Sequence, residues 1–152
     1  MGRKENIQGI IRHKKTIDDL LEQKNRQLAH RFGLRLEQYK LLIQLKEIIE
    51  EYKGGKEGPT VGEIAKKLNK SQNTMSEQIT RLEKKELLKR GRDSKDRRIN
   101  RVYITKKSDE LLENMENQAE KTYLAHSLQK LSDEKILILH KCLEELLDCM
   151  KS

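Results

Sequence analysis

The chain has 152 residues, the size of one domain or of one domain with helices that pair it with a copy of itself. Leu, Ile, Val and Phe number 38, a quarter of the sequence, above the roughly 20% below which so charged a chain would be disordered. Charged residues make up 38%, no run approaches the roughly 18 apolar residues of a membrane span, and the basic N-terminus lacks the apolar stretch of a secretory signal. A soluble, cytoplasmic protein with no membrane partner is expected. Two cysteines near the C-terminus cannot form a disulfide framework.

The net charge of +8 is concentrated in the middle of the chain. Residues 59–101 carry 13 basic and 6 acidic side chains, a net of +7, while residues 102–152 carry 7 and 10, a net of −3. A confined basic stretch is an electrostatic footprint for a polyanion, or simply a solvated basic surface.

Ile7, Ile10, Ile11, Ile17, Leu20, Leu21 and Leu28 recur at three- and four-residue steps and predict a long amphipathic helix that ends at Gly33. A second helix holds Tyr39, Leu42, Ile43, Ile49 and Tyr52 among its apolar positions and stops at Gly54-Gly55. Thr60, with Glu63 three residues on, is a capping box that starts a third helix carrying Ile64, Ala65 and Leu68. Ser71 caps a fourth, running to about Lys85 and buried through Met75, Ile79 and Leu82. Residues 87–90 and 101–104 read as two short strands, with a polar loop from Gly91 to Asn100 between them. Thr105 caps a fifth helix, with Leu111, Leu112, Met115, Ala119 and Tyr123 on its stripe. Ser132 caps a sixth, with Ile136, Leu139, Leu143, Leu146, Leu147 and Met150.

Helix, short turn, helix and basic hairpin in that order predict a winged helix-turn-helix: a mostly α fold with a small β-wing, flanked by N- and C-terminal dimerisation helices. The boundaries expected are 1–32 for the N-terminal dimerisation helix, 33–105 for the winged core and 106–152 for the C-terminal dimerisation helices. The recognition helix is placed at about 71–85 and the wing at about 87–104. Reading a major groove requires a helix with one apolar face held by protein and one face of polar side chains that reach base edges. The fourth helix offers Ser71, Gln72, Asn73, Thr74, Ser76, Glu77, Thr80 and Arg81. The wing offers Arg90, Arg92, Lys95, Asp96, Arg97 and Arg98, and its tip can place Arg in an adjacent narrow minor groove.

The run Thr60 to Leu68, then Ser71 to Leu82, then Leu87-Leu88-Lys89-Arg90 and Asp93-Ser94-Lys95-Asp96-Arg97-Arg98 with Ile104-Thr105 resembles the MarR family of bacterial transcriptional regulators. The resemblance covers about residues 59–108 by motif. It implies a homodimer in which the first and the last two helices intertwine and present two wings to a pseudo-palindromic operator, more often as a repressor. It assigns Arg98 to the minor groove and Asp96 to steadying Arg side chains. Three positions depart from the family's glycines: Asn69 in the turn, Glu86 before the first wing strand and Ser108 in the fifth helix. Asn tolerates the left-handed conformation, so the turn is expected to survive. Glu86 would cost about 1 kcal/mol there, so the fourth helix is expected to end differently.

Dimerisation also follows from the residues. A module of some 45 residues has a small core, and long amphipathic helices at both ends need a cover. Two-fold pairing supplies one and sets two recognition helices roughly 34 Å apart, one DNA turn. The alternative is a monomer in which those helices fold back on their own module. The resemblance also implies a small-molecule effector between the dimer helices and the winged module. Phe32 and Tyr39 lie near that expected cleft, although core packing accounts for both. Cys142 and Cys149, seven residues apart, are the candidate redox pair. Two small apolar interface residues is the plainer reading, because Glu144, Glu145 and Asp148 surround them. The four histidines have no metal-ligand spacing, so no metal or other cofactor is expected.

The sequence has no phosphate loop, nucleophile elbow or metal motif, and its paired carboxylates at Asp18-Asp19 and Glu144-Glu145 point to different faces. The reading is therefore double-stranded DNA as partner and no enzyme. A non-sequence-specific architectural DNA- or RNA-binding protein is the alternative, and a protein–protein adaptor on the same fold is a third.

Overall fold

The computed structural model describes residues 2–116 and 120–152. In chain order the elements are α1 (Arg3–Arg31), α2 (Leu36–Glu51), a 3-10 turn (Tyr52–Gly55), α3 (Val61–Lys67), α4 (Gln72–Lys84), β1 (Leu88–Arg92), β2 (Asn100–Ile104), α5 (Lys106–Glu116), α6 (Glu120–Leu128) and α7 (Asp133–Lys151). The fold is mostly helical with one two-stranded antiparallel sheet, as the residue pattern predicts. Two compact units are present, Asn25–Asn117 and Met1–Lys24 with Gln118–Ser152. The first keeps the last turns of α1 and all of α5 with the winged module. Among the described helices none is long and apolar enough to cross a membrane.

The core of the first unit is built from the predicted stripes. Ile64 and Ala65 of α3, Met75, Ile79 and Leu82 of α4, and Leu87, Leu88 and Val102 of the wing are buried, with Leu42 and Leu45 of α2, Leu28 of α1 and Met115 of α5. Ile43, expected among the apolar positions of α2, is exposed, because the buried stripe runs through Tyr39, Leu42, Leu45 and Ile49. The expected capping groups are in place. Thr60 accepts from the Glu63 amide while the Glu63 carboxylate accepts from the Thr60 amide. Ser71 caps α4 through the Thr74 amide, Thr105 accepts from the Ser108 amide, and Ser132 caps α7.

Three helices in this unit end in the same motif, in which a left-handed residue bonds to the carbonyl three back and the residue after it bonds to the carbonyl five back. In α1, Gly33 (φ +76°) lets Leu34 N donate to Ala29 O and Gly33 N to His30 O. In α3, Asn69 (φ +53°) does the same for Lys70 N on Ala65 O, so the turn survives its missing glycine as expected. In α4, Glu86 itself adopts φ +62°, with Leu87 N on Leu82 O and Glu86 N on Glu83 O. The expectation that α4 would end differently is thus corrected. Neighbours compensate: the Thr105 hydroxyl donates to Glu86 O at 2.8 Å, and Lys107 Nζ reaches Lys85 O at 3.1 Å. Ser108, another departure from glycine, is fully buried and its hydroxyl donates to Leu87 O.

Two segments differ in extent from the sequence reading. The expected fifth helix is described as α5 and α6, and its Ala119 lies outside the described residues. The wing strands are each a residue or two displaced, pairing Leu88 with Ile104 through Arg92 with Asn100. Two glycines hold the wing in place. A Cβ on Gly91 would stand 2.9 Å from the Tyr103 ring, and one on Gly58 would stand 2.2 Å from Val102 O. That second approach lets Val102 N donate to Pro59 O at 2.8 Å.

In the second unit, the helices leave large apolar side chains exposed: Ile7, Ile10, Ile11, Ile17 and Leu20 on α1, and Leu137, Ile138, Leu143, Leu146, Leu147 and Met150 on α7. Tyr123 of α6 lies under Lys24 Nζ, 4.8 Å from the ring centroid.

Replacing Glu86 by Gly relieves the left-handed strain and is expected to stabilise the protein by about 1 kcal/mol, raising the melting temperature by roughly 2–4 °C. A melting temperature unchanged or lowered in thermal denaturation would show that the Glu86 contacts outweigh the backbone strain.

Candidate nucleic-acid interface

Helix α4 turns Met75, Ile79 and Leu82 inward, which places Asn73, Ser76, Glu77, Thr80, Arg81 and Lys84 together along a shallow outer groove of about 400 Å³. Five of the eight residues predicted for base reading share that face. The other three lie at the start of the helix, outside that groove. Ser71 and Thr74 are bonded to each other at the helix cap, at 2.8 Å between hydroxyls, and the Gln72 amide packs above Gly62 of α3.

The wing loop is organised by Asp93, a residue that the sequence reading did not single out. One of its carboxylate oxygens accepts from the amides of Lys95 and Asp96, at 3.0 and 2.9 Å. The other accepts from Arg101 Nε at 2.8 Å. Arg101 is buried, and its guanidinium also meets Glu57 Oε1 at 2.9 Å, Gly58 O at 3.0 Å and the Tyr52 hydroxyl at 3.5 Å. The available signal was an acid and a base at opposite ends of the predicted hairpin. A polar loop rich in charge gives no hint that one such pair is buried.

Asp96 pairs with Arg98 through two parallel bonds of 3.1 Å, Nε to Oδ1 and Nη2 to Oδ2, while the Arg98 amide donates to Oδ1 at 3.0 Å. The fork holds a side chain that is 90% exposed, a geometry suited to an extended, pre-oriented cation. Arg92, Lys95 and Arg97 are also exposed. Arg90 departs from the expectation of a free wing cation. Its guanidinium is half-buried and bonded to Glu83 Oε1 at 2.7 Å, to Ser76 O at 3.2 Å and to Thr80 Oγ1 at 3.2 Å. It sits on β1 facing α4, where burial makes an unpaired charge costly, so it ties strand to helix instead of reaching outward.

The other candidate groups are dispersed. Phe32 lines a cavity of about 240 Å³ with Leu34, Leu87, Lys107 and Leu111, whereas Tyr39 does not line it and is packed in the core. Cys142 and Cys149 are exposed free thiols on α7.

The Arg101 guanidinium, with the Asp96 and Lys95 amides, holds the Asp93 carboxyl well below the usual range, and Arg98 together with its own amide lowers Asp96. Carboxyls with depressed folded-state pKa values contribute stability that is complete above their unfolded value of about pH 4 and is lost as pH falls through the folded values. Asp93→Asn should therefore be less stable than the parent at neutral pH, because the buried Arg101 keeps only Glu57 as a carboxylate partner, and should lose less on acidification below about pH 4. Melting temperatures followed down the acid limb test this; parallel profiles for the two proteins would contradict it.

The MarR family model matches residues 54–100. The chain is 25% identical over 147 residues, 97% of its own length and 94% of the other's, to the uncharacterised HTH-type transcriptional regulator YsmB of Bacillus subtilis (strain 168). Its fold is similar to that of the YusO protein from Bacillus subtilis, with a TM-score of 0.78 and 20% identity, covering 97% of this chain and 99% of that one. It is also similar to MepR of S. aureus in complex with DNA, with a TM-score of 0.71 and 25% identity, covering 90% and 96%. The matched residues 54–100 hold α3, α4 and most of the wing, and over this stretch the chain is similar to the MarR family of transcriptional regulators.

Proposed function

We propose that the protein is a sequence-specific DNA-binding regulator that acts as a homodimer on a pseudo-palindromic operator, as a repressor released by a small ligand or other signal. The observation that carries the reading is the shared outer face of Asn73, Ser76, Glu77, Thr80 and Arg81 beside a wing whose Arg98 is fixed by Asp96. Asn, Arg and a carboxylate on one helix face match the hydrogen-bonding patterns of adenine, guanine and cytosine in the major groove. A guanidinium held outward by its own carboxylate fits a narrow minor groove of enhanced negative potential. The DNA complex of the MepR relative, at 25% identity over nine-tenths of this chain, supports the assignment.

The homodimer rests on the apolar residues of α1 and α7 that the second unit leaves exposed. So many exposed large apolar side chains are unusual on a monomer and are covered by a second copy in two-fold assemblies. For the releasing signal, the small cavity is lined by Phe32, Leu34, Leu87 and Leu111 together with Lys85 and Lys107, a lining suited to a compact lipophilic anion. Cys142 and Cys149 have no role in this reading.

Selection of bound duplexes from a random pool at physiological salt tests the function. Enrichment of an inverted repeat with half-sites about one turn apart is expected. Enrichment of no sequence, with binding that fades as salt rises, would replace the regulator by an architectural nucleic-acid binder. On the enriched duplex, Arg98→Ala should weaken binding roughly tenfold and flatten the salt slope by about one unit. Unchanged affinity and slope would remove Arg98 from the interface.

A further inference from the structure

A cleft of about 510 Å³ lies in the winged unit where the first turn of α2 meets the C-terminal half of α4. Its charged lining is Arg35, Arg81, Lys84 and Lys85 against a single carboxylate, Glu37, and Leu41 is its one apolar side chain. Arg35, at the N-cap of α2, belongs neither to the helix face nor to the wing described above.

Three features distinguish this cleft from an ordinary solvated basic surface. Arg81 and Lys84 have no hydrogen-bond or ion-pair partner among the described residues, so their charge is not already balanced. Lys85 is fixed, donating to Gly33 O at 2.6 Å and to Gln38 Oε1 at 2.9 Å, so one wall of the cleft is pre-formed. Arg81 and Lys84 also line the outer groove of α4, so the cleft opens onto the face assigned to base reading. A polyanion laid along that face passes directly from the groove into the cleft.

We infer that this cleft seats a phosphate of the DNA backbone at the C-terminal end of α4, with Arg35 closing on it from α2. The inference rests on the DNA-binding reading above and adds a third station of contact to the helix and the wing. The polar lining suits a phosphodiester, and a lipophilic ligand would find too little apolar surface there. The contact is independent of base identity, so it adds affinity and register without adding sequence preference.

The test uses the full-length protein and the duplex enriched from the random pool, with binding followed by fluorescence anisotropy as salt is varied. Arg35→Gln should weaken the enriched and a scrambled duplex alike, each by roughly fivefold, and make the salt slope shallower by about 0.9 unit. Arg35→Lys, which keeps the charge, should retain the slope. A methylphosphonate scan of the duplex should find one flanking position where neutralisation weakens the parent protein and leaves Arg35→Gln indifferent. Unchanged affinity and slope in Arg35→Gln, on a duplex that the parent binds specifically, would overturn the phosphate contact while leaving the DNA reading intact. Failure of the parent to bind any duplex would overturn both. Titration of the free protein with inorganic phosphate separates the remaining source: saturable binding lost in Arg35→Gln, with the DNA salt slope unaltered, would make the cleft a free-phosphate site and overturn the backbone assignment.

Discussion

The guanidinium of Arg101 ties three separate stretches of chain to one buried point on β2. From β2 it reaches Asp93 at the start of the wing loop, Glu57 and Gly58 in the connection ahead of α3, and Tyr52 at the end of α2. A planar cation with five donors can serve all of these at once, whereas a lysine ammonium could not, so exchange for lysine would not be conservative here. Asp93, held by Arg101, gathers the Lys95 and Asp96 amides, and Asp96 in turn fixes Arg98. The direction of the exposed arginine at the wing tip is therefore set by a buried one at the wing base. A buried pair of this kind contributes more to conformational specificity than to net stability, since removing the charges from water offsets much of their attraction, but loss of one partner leaves the other stranded.

The helices were legible because their signals are local. The Thr60–Glu63 capping box, the Ser71 cap and the Met75, Ile79, Leu82 spacing each need only a few neighbouring residues, and the structure has all three. What escaped the sequence depends on contacts distant along the chain. Glu86 accepts a left-handed backbone because Thr105 and Lys107, about twenty residues on, bond to the strained segment. Arg90 looks like a wing cation until the strand register turns it toward Glu83 and Thr80. Arg101 and Asp93 look like solvent-exposed loop charges, and in the fold they are buried, paired with each other and with Glu57 and Gly58 O from the connection ahead of α3. The cleft at Arg35 was invisible for the same reason, since α2 and α4 meet only in the folded unit.

The basic excess of residues 59–101 consequently overstates the charge that faces outward. Arg90 and Arg101 are each neutralised by a carboxylate within the fold, and Lys85 is committed to Gly33 and Gln38. The outward charge is carried by Lys66, Lys67, Lys70, Arg81, Lys84, Lys89, Arg92, Lys95, Arg97 and Arg98. Arg35 joins it from outside the basic segment. A tally along the sequence locates the correct region but assigns charge to the wrong side chains, because structural and interactive arginines have the same composition.

The bracing of Arg90 against Ser76, Thr80 and Glu83, with β1 beginning just past the left-handed turn at Glu86, joins helix and wing into one rigid piece. On the proposed reading, the offset between a major-groove contact from α4 and a minor-groove contact from the wing is then set by the protein and cannot relax to suit a poor site. The duplex has to supply the matching groove width and twist at that offset. Selectivity within one half-site would thus include a mechanical component, favouring sequences that are easily deformed between the two contacts over those that merely present the right bases.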